Sequence, residues 1–327
     1  MINVASETVG FGVIGLGMGN VRARCIHETQ GAKLVAVAEL NEERGQKAAS
    51  EYGVEWYKDY RQLLDRSDID VINVMTPSGT HADFAIEAAR AGKHVITTKP
   101  IEVTLDRADQ MINACHEAGV ILAIDFEARY MAENVRVKQA VDEGRLGRMI
   151  LGEVRLKWFR NDAYYEGWHG TWQYDGGGAL INQSVHQIDL LVWYMGAVES
   201  VQGQIGVFNH DIETEDLGMA MIRFRSGAVG MILGTTTCPV TIPAAVELHG
   251  TKGLITTSGN GIDTWHLPNE LKEDSFSYDG PQNVIEDMIQ LVRFGGKPLI
   301  TGEEAKKSLA LVLAIYESSR TGDTITL

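Results

Sequence analysis

Nowhere in its 327 residues does the chain carry a run of about 18 uncharged apolar residues, so no membrane-spanning helix is expected. Cysteine is scarce. The three present, Cys25, Cys115 and Cys238, are odd in number and widely spaced with no CxxC pair. That excludes a disulfide framework and a thiolate zinc site, leaves free thiols, and gives no reason to expect a metal. Positive charge is short as well. The 29 Lys and Arg face 44 Asp and Glu for a net charge of −15 at pH 7, which repels phosphate backbones and argues against nucleic acid or an anionic membrane as partner. A small-molecule site stays open. The opening "MINVASETV" lacks a basic stretch followed by an apolar one, so no secretory leader is expected and the protein is placed in the cytoplasm. Internal repeats and low-complexity segments are also missing. With 44% hydrophobic and 22% charged residues, the composition is that of a soluble globular protein long enough for two cores.

From Phe11 onward, short apolar stretches ("FGVIG", "KLVAVAE", "DVINVMT", "HVITT", "VILAIDF") alternate with helix-length segments. Such alternation predicts βαβ units in a doubly wound parallel sheet over residues 1–127. Helix punctuation agrees, with Thr80 and Asp83, and Asp59 and Gln62, at capping spacings and Gly92 at a C-cap. Beyond about Phe126 the stretches lengthen ("MILGEVRLKWF", "LGMAMIRFRSGAVGMILGTTT", "AAVELHGTKGLITT") and turn glycines stand at Gly227, Gly250 and Gly253. Residues 128–327 are therefore expected to form an α+β domain around one large open sheet, mixed or antiparallel. A last helix, about 302–320, begins with a Thr301–Glu304 capping box and is expected to pack back on the first domain.

Three stretches carry chemistry. In "GVIGLGMGN", Gly15, Leu16, Gly17, Met18 and Gly19 sit between a strand and a helix, where backbone N–H groups and the helix dipole can hold a pyrophosphate. The third position of GxGxxG is Asn20, with Gly19 one residue early. Glu39 ends the second strand, where a carboxylate accepts from an adenosine ribose and repels a 2′-phosphate, favouring NAD over NADP. Arg44 either softens that preference or lies on the surface. In "GGGALINQSVHQIDLLVWYMG", Gly176 to Gly196, Asn182, His186 and Asp189 fall within roughly 60° of helical arc, while apolar residues occupy the rest. A buried helix with one polar stripe must turn that stripe toward something polar. "WFRNDAYYEGWHGTWQYD" gathers Tyr and Trp around Arg160, with Trp168 and Trp172 as candidate platforms for a sugar ring. The alternative is a core aromatic cluster.

The segment "VMTPSGTHADFAIEAARAGKHVITTKP", Val74 to Pro100, resembles the hallmark of the Gfo/Idh/MocA oxidoreductases, and "GGGALINQSVHQID" resembles the same family's second signature. The resemblance runs from Phe11 to about Tyr316. It implies an N-terminal Rossmann domain, an open-faced C-terminal sheet, NAD or NADP as cofactor, sugars, cyclitols or their derivatives as substrates, and a homo-oligomer, dimer or tetramer. It places Thr76, Pro77, Ser78, His81 and Pro100 about the cofactor, although His81 could instead cap its helix. Lys99 is implied to bridge the nicotinamide ribose and the reacting hydroxyl, where an ammonium stabilises developing negative charge. His186 is implied to be the general base, with Asn182 orienting substrate or imidazole; the alternative is a hydrogen-bonded core histidine. Asp189 either orients the ring or closes a core polar network. Two positions depart from the family pattern: Thr98 replaces the glutamate of Glu-Lys-Pro, and Asn182 stands where many members carry aspartate. The expected activity is hydride transfer between a nicotinamide cofactor and a secondary hydroxyl or ketone of a sugar, cyclitol or sugar derivative. An NAD-retaining glycosidase and a non-catalytic NAD-responsive regulator are the alternatives, and retention of Lys99 and His186 argues against the second.

Overall fold

The computed structural model describes residues 8–259, 261–272 and 275–327, so the leader expectation rests mainly on residues outside this range. Two compact units emerge. One takes the chain up to Asp125 together with Pro281–Glu304, and the other takes Phe126–Gly280 and Ala305–Leu327.

The first unit is built on a six-stranded parallel sheet. In chain order its elements are β1 (Val9–Ile14), α1 (Gly19–Glu28), β2 (Ala32–Ala38), α2 (Glu42–Tyr52), β3 (Glu55–Tyr57), α3 (Arg61–Leu64), β4 (Val71–Val74), α4 (His81–Arg90), β5 (His94–Thr98), α5 (Leu105–Ala118) and β6 (Leu122–Asp125). The strand order is β3-β2-β1-β4-β5-β6. β1 and β4 are buried at every residue, as a sheet covered on both faces requires, and this is why they read as unbroken apolar runs. Asn41 and Thr104 cap α2 and α5 through the amides of Arg44 and Arg107, and Gly53 and Gly119 end those helices in the left-handed region. The other expected caps differ in detail. The Thr80 hydroxyl donates to Thr76 Oγ1 and the Pro77 carbonyl instead of capping α4, and Asp59 accepts from the amide of Arg61.

The second unit holds α6 (Ala132–Asp142), β7 (Met149–Phe159), α7 (Val185–Met195), β8 (Val198–Gly206), β9 (Leu217–Phe224), β10 (Val229–Thr235), β11 (Thr237–Gly250), β12 (Leu254–Ser258) and β13 (Gly261–His266). Two helices, α8 (Val284–Phe294) and α9 (Gly302–Thr321), and the short β14 (Ile325–Thr326) complete the chain. The eight-stranded sheet runs β13-β12-β11-β7-β10-β9-β8-β14, with β7 and β10 parallel and the other pairs antiparallel. Along β9, Gly218, Ala220, Ile222 and Phe224 are buried while Met219, Met221 and Arg223 are exposed, so one sheet face is packed and the other open.

Two boundaries differ from the sequence reading. Residues 281–304, assigned from sequence to the second domain, group with the first unit, because α8 buries Val284, Ile285 and Met288 next to β6 and Ile124 donates to the Ile300 carbonyl at 3.1 Å. From Ala305 onward α9 belongs to the second unit, where Ser318 and Ser319 accept from the amides of Gly203 and Ile205 on β8, each at 3.0 Å. The Thr301 cap on Glu304 forms as expected. Cys25, Cys115 and Cys238 are free thiols, and burial pushes Cys115 up to about 12. Among the described residues no helix is long and apolar enough to cross a membrane.

Close packing at β1 generates a test. A methyl group on Gly10 would overlap the Asp68 carbonyl oxygen, which is backbone and cannot swing away. Gly10→Ala is expected to lower stability by about 1–3 kcal/mol in urea unfolding, and an unchanged midpoint would contradict this packing.

Candidate active site

In the first unit the carboxyl ends of β1 and β4 lie side by side, the position at which open α/β sheets bind ligands. Gly15 has φ +87°, and a Cβ there would come within 2.8 Å of the Met75 carbonyl oxygen, so glycine is required. Gly17 faces open space, and Met18 is 73% exposed. Gly19, one position early for the fingerprint, does the work of the third glycine: a Cβ there would lie 2.9 Å from Met75 Cβ, so α1 seats directly on the sheet. Asn20 is instead bonded to Tyr52 Oη. The side chain of Leu16 is buried, but its amide donates to Glu39 Oε2 at 2.7 Å, and Asn41 N donates to Oε1 at 2.9 Å. Arg44 lies 3.6 Å from the same carboxylate. Each carboxylate oxygen has a further lone pair. An open glycine turn at a helix start, with an acidic acceptor fixed beside it, fits a dinucleotide with free ribose hydroxyls.

Thr76 and Pro77 follow β4, and Lys99 and Pro100 follow β5 through a cis peptide. His81 joins the two segments. Its ring nitrogens lie 2.9 Å from the Pro100 carbonyl and 3.0 Å from that of Thr76, and the side chain has no exposed surface. Burial pushes the imidazole down to about 4, against the opposing pull of the two carbonyls, which favour N–H at both ring nitrogens. The expectation of a direct cofactor contact from His81 therefore gives way to a scaffold role under the lysine turn. Ser78 is likewise buried, at the start of a short 3₁₀ turn. At the end of β6, Asp125 is paired with Arg22 of α1 at 2.6 Å.

In the second unit, the polar stripe expected on one helix is broken. Ala179–Gln183 form a π turn, and α7 begins only at Val185. Asn182 lies on the π turn, its amide donating to the buried carboxylate of Asp175 and its oxygen accepting from Gln183 at 3.1 Å. Gln183 in turn donates to Tyr164 Oη at 2.6 Å and accepts from Arg160 at 2.7 Å. Two amides thus link a guanidinium to a carboxylate. Arg160 lies over the rings of Trp158 and Tyr164, so it is a tethered residue rather than a loose surface cation. Asp175 also accepts from Gly170 N.

His186 is half-buried, edge-on to Phe126 at 5.8 Å, and lines a cavity of about 180 Å³ with Glu127, Asn134, Gln187 and Ser258. Asp189 does not line this cavity. It is fully buried and takes both arms of Arg129 at 2.7 Å, with Arg129 also 5.2 Å from the Trp193 ring. Of the two roles expected of it, this ion pair is the core polar contact, and it joins the turn before α6 to α7. Trp168 packs edge-on to His169, and Trp172, 44% exposed, meets Tyr316 at 5.5 Å.

Sequence reasoning missed Asp175, Arg129, Glu215 and Tyr316. Glu215 is buried and accepts from Gly178 N at 3.0 Å, Leu180 N at 2.9 Å and Tyr316 Oη at 2.8 Å. Burial pushes its carboxyl up to about 7. The available signal was the glycine run itself, whose bare amides need a buried acceptor. Among the described residues no group of three or more His, Cys, Asp or Glu is placed to hold a metal ion.

Comparison with known proteins agrees with this layout. Residues 9–126 match the oxidoreductase family with an NAD-binding Rossmann fold, and residues 134–256 match the GFO/IDH/MocA C-terminal domain. The WlbA dehydrogenase from Bordetella pertussis, solved in complex with NADH and UDP-GlcNAcA, is 35% identical, with a TM-score of 0.90 over 98% of this chain and 99% of that one. Among curated relatives, the 1,5-anhydro-D-fructose reductase of Ensifer adhaerens is 28% identical over 89% of this chain and 90% of its own length. The myo-inositol 2-dehydrogenase of Thermotoga maritima is 27% identical over 94% and 95%.

The Asn182–Asp175 contact generates a pH test. Asn182→Asp would set two carboxylates against each other, raising the folded-state pKa of the pair above the ordinary value near 4. A raised folded pKa contributes stability at low pH that is lost as pH rises through it. The melting temperature of Asn182→Asp should therefore fall further below the parent's at pH 8 than at pH 4. A gap independent of pH would contradict the contact.

Proposed function

We propose that this chain, which belongs to the Gfo/Idh/MocA oxidoreductase family, is an NAD-dependent dehydrogenase or reductase in which His186 moves the proton of a secondary alcohol on a sugar or cyclitol derivative. The observation that carries the reading is the open Gly15–Gly19 turn with Glu39 bonded to it. Bound NAD supplies the hydride acceptor at its nicotinamide ring. Gly17, Met18 and Gly19 would hold the pyrophosphate through main-chain N–H groups, while Gly15 and Leu16, whose amides go to the Ala38 carbonyl and to Glu39, shape the turn, and Glu39 would accept from the ribose, favouring NAD over NADP despite Arg44. Thr76, Pro77 and Pro100 line the cofactor, held in shape by His81.

Oxidation of a carbinol releases a proton and leaves negative charge on its oxygen. His186 takes the proton as general base; the Lys99 ammonium stabilises the oxygen as charge builds. Asn182 cannot accept a proton, and its amide, fixed by Asp175 and Gln183, orients the hydroxyl. Exposed Trp172 and the tethered Arg160 line the sugar. Nucleotide-linked sugar acids head the substrates to assay, because the Bordetella pertussis relative carries UDP-GlcNAcA. The exposed apolar face of β9 and β10 (Met219, Met221, Val229 and Met231) is assigned to contact with a second copy of the chain. An NAD enzyme with three free thiols belongs in the cytoplasm.

The test is NADH formation, followed by absorbance, against nucleotide-linked sugars, free sugars and cyclitols. On the active substrate, His186→Asn should lower kcat by about 10²–10⁴ while NAD affinity is kept, and Lys99→Ala should abolish turnover. Tight NAD binding without turnover on any member of the panel would contradict the assignment and favour the regulator. A second measurement compares NAD and NADP affinity: Glu39→Ser should narrow the gap between them, and tighter NADP binding by the parent would overturn the ribose role.

A further inference from the structure

The base role of His186 depends on where α7 begins, and that start is set by residues outside the helix. We propose that Glu215 and Tyr316 are positioning residues that latch the glycine turn and thereby fix the direction of Asn182 relative to His186; the inference rests on His186 as the base. A helical segment leaves its first N–H groups without intrahelical partners. Here one residue takes three successive donors: Glu215 accepts Gly178 N at Oε2 (3.0 Å), Ala179 N at its carbonyl oxygen (2.9 Å) and Leu180 N at Oε1 (2.9 Å). Tyr316, on α9, closes the latch by donating to Oε1 at 2.8 Å.

The glycines and the latch are parts of one device. A Cβ on Gly177, whose φ is +154°, would overlap Tyr316 Oη, and one on Gly178 would overlap the Glu215 carbonyl oxygen. Close approach to this pair explains Gly177 and Gly178 without any ligand. The turn so held is a π turn, in which Gln183 N bonds the Gly178 carbonyl and Ser184 N that of Ala179. Relaxing it to α-helical bonding would rotate the preceding residues by about 100° relative to α7, carrying Asn182 away from Asp175 and out of its relation to His186. Glu215 and Tyr316 therefore act on catalysis through the turn, without touching substrate.

Glu215→Gln keeps the size and one acceptor oxygen but turns an N–H₂ toward main-chain donors, and Tyr316→Phe removes a single bond. In the full-length enzyme, Glu215→Gln should lower kcat by about 10- to 100-fold with NAD affinity within about twofold of the parent, and speed hydrogen exchange at residues 178–186 while β7 and β10 stay protected. Tyr316→Phe should give a smaller loss of the same kind. Unchanged exchange at 178–186 in both variants would overturn the latch, as would faster exchange with kcat unchanged. A loss spread over the whole unit and accompanied by weaker NAD binding would also overturn it, marking general unfolding. His186→Asn run alongside keeps the two ideas apart: full activity there removes the base assignment, whereas the exchange measurement decides the latch by itself.

Discussion

A glycine turn that launches a helix leaves main-chain N–H groups bare, and in both units an acidic side chain from elsewhere in the chain takes them. Glu39 receives the amide of Leu16; Glu215 receives those of Gly178 and Leu180. The outcomes are opposite. The first turn stays open at Gly17 and its carboxylate keeps acceptor capacity, which suits a ligand rich in hydroxyls and phosphate oxygens. The second is closed by Tyr316, which puts two donors on Glu215 Oε1, and the proposed consequence is the direction of side chains further along. One local solution to unsatisfied backbone groups thus yields a binding turn in one unit and an aiming turn in the other.

The excess of acidic residues takes on meaning at the same scale. Inside the units each of several buried carboxylates has its own donors: Asp189 the Arg129 guanidinium, Asp125 that of Arg22, Asp216 the amides of Phe208, Asn209 and His210, and Asp175 those of Gly170 and Asn182. That last pairing accounts for the family departure at Asn182. Asp175 already brings a carboxylate to this place, and a second would be repelled, whereas an amide donates to Asp175 and still accepts from Gln183. Thr98, the other departure, has no comparable explanation in the contacts around it.

The parallel sheet was legible because burial on both faces writes itself as short apolar runs, and helices between them carry caps and closing glycines. Gly15, Gly17 and Glu39 were legible because a turn and an acidic strand end have fixed spacing. Motif position does not give direction, however: His81 and Asp189 occupy their signature places yet turn into the scaffold, one toward two carbonyls and the other toward Arg129. The π turn escaped because one extra residue in a helical segment leaves no mark in an apolar pattern, so three side chains that share a stripe on an ideal helix separate in the fold. Glu215 and Tyr316 escaped because their partners are far away along the chain, main-chain amides for Glu215 and the Glu215 carboxylate for Tyr316. Residues 281–304 were assigned by chain order alone, which cannot tell that α8 returns to β6.

Hydride transfer is the claim on which the functional reading stands, and isotope transfer tests it most directly. The substrate found active, carrying deuterium at the carbon bearing the reacting hydroxyl, should yield reduced NAD heavier by that one deuterium, with a ketone product formed in equal amount. Reduced cofactor without the label, or turnover of the sugar with no net reduction of NAD, would contradict it.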